Sequence, residues 1–264
     1  MGANYYYLVS SLPTLEFGEF SSVAVQPLFE KVVVELTPDD VKLLQFLRTI
    51  RDIENLRSKA EDWQAFRALG NIDVKAFIDE GAELNVAEEW EQYQLSQKGE
   101  KPIPVDSLWL RYFDEGMRAK NAFIRRWIKH ELTLWTACAV LRRERFAAAQ
   151  DRASASSVFE VSENELILDI LAASRLPDFG LAHEYDWAST IRELFEQDNP
   201  VTVEMALDKF RWDFIDGLTA NCYFSYEVVL GYALKLLICE RWSRLDKKTG
   251  EDRLEKILGG TIGE

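Results

Sequence analysis

Apolar residues recur at helical spacing along most of this chain, and strand-like alternation is scarce. Thr37-Pro38-Asp39-Asp40 supplies a cap, a proline for the first helical position and acids for the first turn. Val41, Leu44, Leu47, Ile50, Ile53 and Leu56 follow three to four residues apart, which predicts a long amphipathic helix. Gly70 and Asn71 punctuate the next short helix. Asp73 is placed to cap another that runs to Gly81, and residues 83–97 read as a more acidic one. The stretch QKGEKPIPVD, Gln97 to Asp106, reads as a linker, and a long helical tract runs from Ser107 towards Ala149. ASASS, Ala153 to Ser157, is a second break. Ser162 and Glu165 form a capping box ahead of LILDILAASR, which Pro177 and Gly180 end. Further helices are expected from Trp187 to Phe195 and from Pro200 to Asp216. Two short pieces, NYYYLVS at Asn4 and KVVVEL at Lys31, have strand-like composition but would not build a sheet. The pattern predicts an all-α chain, one domain over 1–264 with approximate sub-lobes 1–97, 104–150 and 158–264.

The last helical stretch, FSYEVVLGYALKLLICERWSRL, is the most apolar. On a helical wheel Glu227, Gly231 and Lys235 share one narrow stripe, and Val228, Val229, Leu230, Tyr232, Leu234, Leu236, Leu237 and Ile238 surround the rest. A helix apolar nearly all round is expected to be buried by neighbours on several sides. Gly231 predicts a close backbone approach, and Ser225 stands where an N-cap is needed. The charged end, ERWSRL, is expected to emerge to solvent or to a partner. Lys235 interrupts the apolar run well short of the ~20 residues a membrane span needs, so no direct span is expected.

Composition narrows the function classes. A formal net charge of −14 opposes non-specific binding to nucleic acid or anionic lipid. Three cysteines without CxxC spacing read as buried hydrophobes in a reducing cytosol rather than a disulfide framework. The start MGANYYYLVSSLP lacks a basic region ahead of its apolar residues, and Tyr6 stands where a myristoylation signal needs Ser or Thr. A cytoplasmic protein is expected.

Chemical signatures are sparse. No GxxxxGK[ST] cradle occurs, and DFG at Asp178 to Gly180 lacks the other kinase elements. Asp39 and Asp40 are explained as a helix start. His130 and His183 have no partner at metal-ligand spacing. LRRERF, Leu141 to Phe146, reads as a salt-bridged helix end, and the tryptophans read first as core. The residues predict no catalytic site, cofactor or metal, so the chain reads as a non-enzyme.

Two segments carry a resemblance. FSYEVVLGYALKLLICERW is similar to the C-terminal motif of the C-type subunit of V/A-type rotary ATPases, the d-type subunit of the eukaryotic enzymes, through Phe224, Ser225, Glu227 and Tyr232. RDIENLRSKAED resembles an earlier signature of that family through Asp52, Asn55 and Arg57. NYYYLVSSLP and the short length look like a divergent bacterial branch, a domain of unknown function found with V-type ATPase subunits. The resemblance implies V-shaped helical lobes in a pseudo-threefold repeat forming a funnel. Residues 52–63, 130–146 and 226–242 would be the corresponding elements. It also implies a non-catalytic coupling subunit, a monomer within the complex, linking central-stalk subunits to the membrane proteolipid ring. Such a protein would be peripheral to the inner membrane through the complex, with the motif residues structural and Arg241 and Arg244 at a partner interface. A freestanding helical adaptor and a small all-α enzyme with a dispersed site are the alternatives.

Overall fold

The computed structural model describes residues 4–60, 67–71, 105–148, 164–197 and 199–243. Among them the chain is all-helical, with nine α-helices and no strands. They are α1 (Tyr6–Ser11), α2 (Val25–Glu35), α3 (Pro38–Ala60), α4 (Val105–Arg118), α5 (Ala122–Ala148), α6 (Glu165–Ala172), α7 (Ile191–Phe195), α8 (Pro200–Thr219) and α9 (Tyr226–Ser243). Both strand-like segments fall into helices, α1 and α2, because their apolar residues pack onto other helices rather than onto a sheet. No described helix is long and apolar enough to cross a membrane.

Helix α3 starts as the sequence predicts. Asp40 donates its backbone N–H to Thr37 Oγ1 at 3.3 Å, and Pro38 occupies the first turn. The tract expected to run unbroken from Ser107 instead divides at residues 119–121 into α4 and α5. Asn121 makes the break. Its side-chain oxygen accepts from the Ile124 N–H at 3.0 Å, a new N-cap, while its amide donates to Tyr226 Oη at 3.1 Å. The helix after the second linker is capped by Asn164, which accepts from the Leu166 N–H; Ser162 lies outside the described residues. The segment expected as one helix from Trp187 divides into a 3-10 turn, Asp186–Ser189, and α7. Helix α8 continues past Asp216 to Thr219. The expected helices at 73–81 and 83–97, the linker at 153–157 and residues 97–104 of the linker expected over 97–106 lie outside the described residues, while Val105 and Asp106 at the end of that linker already belong to α4.

Helices α5 and α9 are the two axes of packing. Around α9 lie α2, α3, α8 and a 3-10 turn at Phe20–Ser22; around α5 lie α4, α6, α7 and α8. Helix α9 buries Val229, Leu230, Ala233, Leu234, Leu236, Leu237 and Ile238, as a helix apolar nearly all round must. Its polar stripe faces α8. A Cβ on Gly231 would meet Thr219 Cγ2 at 2.8 Å, so glycine sets the approach of α8 to α9. One turn on, Lys235 pairs with Asp216 at 2.5 Å and lies 4.6 Å from the centroid of the Trp212 ring. The DFG triplet is a tight turn. Phe179 and Gly180 both have positive φ, and Asp178 accepts from the Gly180 N–H at 3.0 Å.

One apolar cluster joins residues from the N-terminal helices, α4, the first half of α5, α8 and α9. A second lies under the rest of α5, α6, α7 and the start of α8. Charged side chains line the space where the two meet.

Candidate functional site: a central arginine-lined cavity

A cavity of about 590 Å³ opens between α3, α4, α5, α8 and α9. Each helix contributes a stripe at helical spacing. Helix α5 presents Trp127, Glu131, Trp135, Cys138 and Arg142; α8 presents Glu204, Asp208 and Arg211; α3 presents Arg51, Glu54 and Arg57; α9 ends the ring with Arg241. Arg67, from the short described loop 67–71, closes one side. The described lining residues include six arginines and four carboxylates, in a chain that is strongly negative overall.

The carboxylates are shared. Glu131 accepts twice from Arg211 Nε, at 3.0 and 3.1 Å, and Asp208 accepts from Arg211 Nη1 at 2.9 Å. Asp208 also accepts from Arg241 Nη1, at 3.2 Å, and from the Trp242 indole at 2.7 Å. Glu204 holds Arg142 at 3.2 Å and is hydrogen-bonded to Arg241 as well. Glu54 holds Arg51 and Arg67, each at 3.0 Å. Burial, the largest single influence, disfavours ionisation of Glu131, but the Arg211 guanidinium and the neighbouring His130 together outweigh it and hold the carboxyl below its usual range. Glu54 and Glu204 are held down in the same way, burial being outweighed by Arg51 and Arg67 for one and by Arg241 for the other. Burial likewise opposes the Arg211 charge, and Glu131 and Asp208 outweigh it and raise its pKa. Burial pushes the Cys138 thiol up to about 12.

Arg51 is the least accessible of these cations, 6% exposed. Its Nη1 binds Glu54 and its Nη2 donates to the Leu237 carbonyl at 2.6 Å, while the buried Nε has no partner among the described residues. Among the described residues no group of three or more His, Cys, Asp or Glu is placed to hold a metal ion.

The motif residues take other positions. Asp52 and Asn55, both fully buried, fasten loop 67–71 onto α3. Asp52 accepts from the Asn71 backbone at 3.1 Å and from its amide at 2.9 Å. Asn55 both donates to the Arg67 carbonyl and accepts from its N–H. A Cβ on Gly70 would strike Asp52 Oδ1, so the loop lies flat on the helix. Arg57 is exposed and lines the cavity. At the far end of α9, Phe224 accepts from the Tyr5 N–H at 2.7 Å and Tyr232 donates to the Pro13 carbonyl at 3.1 Å, pinning the N-terminal segment. Ser225 precedes α9 as a cap would, yet its buried hydroxyl makes no hydrogen bond; Glu227 Oε2 is also buried without a partner. Arg241 points into the cavity network instead of emerging on the outer face, and Arg244 lies outside the described residues.

Of the charged lining the sequence singles out Arg57, Arg241 and, within LRRERF, Arg142; the rest of the cavity is missed. The signal was present: Glu204, Asp208 and Arg211 recur at i, i+4 and i+7 on a helix that is otherwise apolar on that side. LRRERF does behave as a salt-bridged helix end, through Arg142 with Glu204 and Glu144 with Arg192.

The chain belongs to the family described as "Protein of unknown function (DUF2764)", whose sequence profile matches residues 2–261. No curated protein and no solved structure matches it significantly.

Proposed function

We propose that this protein is a non-catalytic coupling subunit of a bacterial V/A-type ATPase, standing between the central stalk and the proteolipid ring on the cytoplasmic side. One observation carries the reading. The described parts of the three sequence elements that suggest a repeat, residues 52–60, 130–146 and 226–242, fall on α3, α5 and α9, and all three helices line the same cavity. Each brings an arginine to it, Arg57, Arg142 and Arg241 respectively. That convergence is what three related helical units around one axis would give. The motif residues act as fasteners of loop and terminus, which suits a part that must transmit torque as a stiff body.

In a strain carrying the complex, deleting the gene should leave ATP hydrolysis by the detached soluble head intact and abolish ATP-driven ion pumping in membrane vesicles. The protein should also copurify with the stalk and ring proteins. Vesicles that lack it and still pump at the normal rate would overturn the proposal.

A further inference from the structure

We infer that the hydrogen bond between Trp187 and His130 is an acid-released latch, and that protonation of His130 frees the turn carrying Trp187, together with α7, from α5. The inference does not depend on the coupling role, since it uses only the contacts of one buried side chain.

Donor chemistry sets the first bound. An indole N–H can only donate, so His130 Nε2, which accepts from Trp187 Nε1 at 3.2 Å, carries no proton while the bond stands. The neutral ring therefore holds its one hydrogen on Nδ1. Protonation puts a second hydrogen on Nε2, and two donors then face each other across the same gap. One of the two rings must move.

Enclosure decides which. His130 is fully buried, with Phe214 of α8 stacked on it at 4.0 Å and Trp127 and Tyr185 beside it. The charged and titratable groups facing it are Glu131 on its own helix, Arg211 on α8 and Tyr185 on the segment before the turn. Glu131 lies 3.7 Å from Nδ1, beyond hydrogen-bond reach, and is committed to Arg211. Burial raises the pKa of Tyr185, which is neutral throughout the acid range. Burial opposes charge on the imidazole more than Glu131 favours it, and Arg211 opposes it as well. The imidazolium is thus stable where water reaches the ring, after Trp187 has left.

The segment can part as a unit. Trp187 stands in the 3-10 turn Asp186–Ser189, which leads into α7. Outside, two ion pairs between partly exposed side chains tie this region to α5, Lys129 with Glu184 at 2.6 Å and Glu144 with Arg192 at 2.9 Å, and such pairs hold weakly. Inside, the tie is a hydrogen bond to the one side-chain type that ordinarily gains charge just below neutral pH.

The test is amide hydrogen exchange of the purified full chain, read by mass spectrometry and corrected for the intrinsic pH dependence of exchange. Opening that returns His130 to its ordinary value of 6.5 should lower the protection of residues 186–195 about tenfold between about pH 7.5 and about pH 5.5. Protection there should stay below that of α9 at both values, the mark of a local opening. His130→Gln keeps an acceptor for Trp187 that acid does not titrate, and should abolish the response. His183→Gln, which removes the other histidine, exposed on the same side of α7, should keep it. Trp187→Phe removes the opposing donor, so the His130 ring signal, followed by NMR, should titrate at higher pH than in the wild type. A response that persists in His130→Gln, equal protection of 186–195 and α9, or no upward move in Trp187→Phe would each overturn the inference. None of these results bears on ion pumping in the deletion strain, so the latch and the coupling role fail separately.

Discussion

His130 and Glu131 are neighbours in sequence and live in different media. His130 is sealed among aromatic rings. It stacks on Phe214 at 4.0 Å, lies against Tyr185 and Trp127, and accepts a hydrogen bond from the Trp187 indole at 3.2 Å. Burial pushes its pKa down, so it is neutral, even though Glu131 lies 3.7 Å away. Glu131 turns towards the cavity, where Arg211 keeps it charged despite equal burial. Helix α5 therefore separates a region stabilised by ring packing from one stabilised by paired charge. The rotation of one residue, about 100° on a helix, decides which rule applies.

The largest effect should come from breaking the charged side. Arg211→Met leaves Glu131 and Asp208 buried beside a thioether, and breaking such a buried pair costs about 3–5 kcal/mol. Urea unfolding would read it as a lower midpoint. On the aromatic side His130→Phe keeps the stack and strands only the Trp187 N–H, a loss of about 1–3 kcal/mol. Equal costs for the two variants would erase the distinction between the two regions.

Acid titration sharpens the same contrast, because both groups have depressed folded-state values but from different starting points. His130 contributes stability that is complete above its ordinary value of 6.5 and is lost as pH falls from there towards its lower folded value. Glu54, Glu131 and Glu204 contribute stability that is complete above 4.5 and is lost as pH falls through their lower folded values. Stability measured against pH should thus fall in two stages. In His130→Phe the upper stage should be diminished and the lower one kept; an unchanged upper stage would mean that His130 is not its source.

The thiols give a smaller readout. With Cys138 pushed up to about 12 and Cys239 to about 11 by burial, each is overwhelmingly protonated at pH 8. Cys222, partly exposed, should be the first to react with a disulfide reagent in the native chain, with Cys138 and Cys239 following only in denaturant. Rapid native reaction at Cys138 would mean that the cavity admits the reagent freely. Smallest of all should be Lys209→Ala. It removes an exposed pair with Asp213 and should change stability by less than about 0.5 kcal/mol.

The fold class and the burial of α9 were legible because they follow from periodicity, which survives in any one sequence. The close approach at Gly231 was legible for a related reason: a glycine inside a strongly apolar helix has few other uses. The break at Asn121 was not. It depends on Tyr226, more than a hundred residues away, taking the asparagine amide while the oxygen caps α5. The cavity was harder still. Glu131, Asp208 and Arg241 each read locally as an ordinary helix-surface charge, and only the packing of α5, α8 and α9 turns those surfaces towards one another.

Glu204 sits on α8 and answers to Arg142 of α5 and Arg241 of α9; Asp208, one turn on, answers to Arg211 and Arg241. Because each acid serves two bases, exchanging any one residue of this set removes a charge partner from one or more of the others. Drift among relatives should therefore proceed by correlated replacement of three or four of these positions at a time, and single neutral steps should be rare. An alignment of the family would display that as a block of linked columns spanning α5, α8 and α9, distant in the chain and changing together.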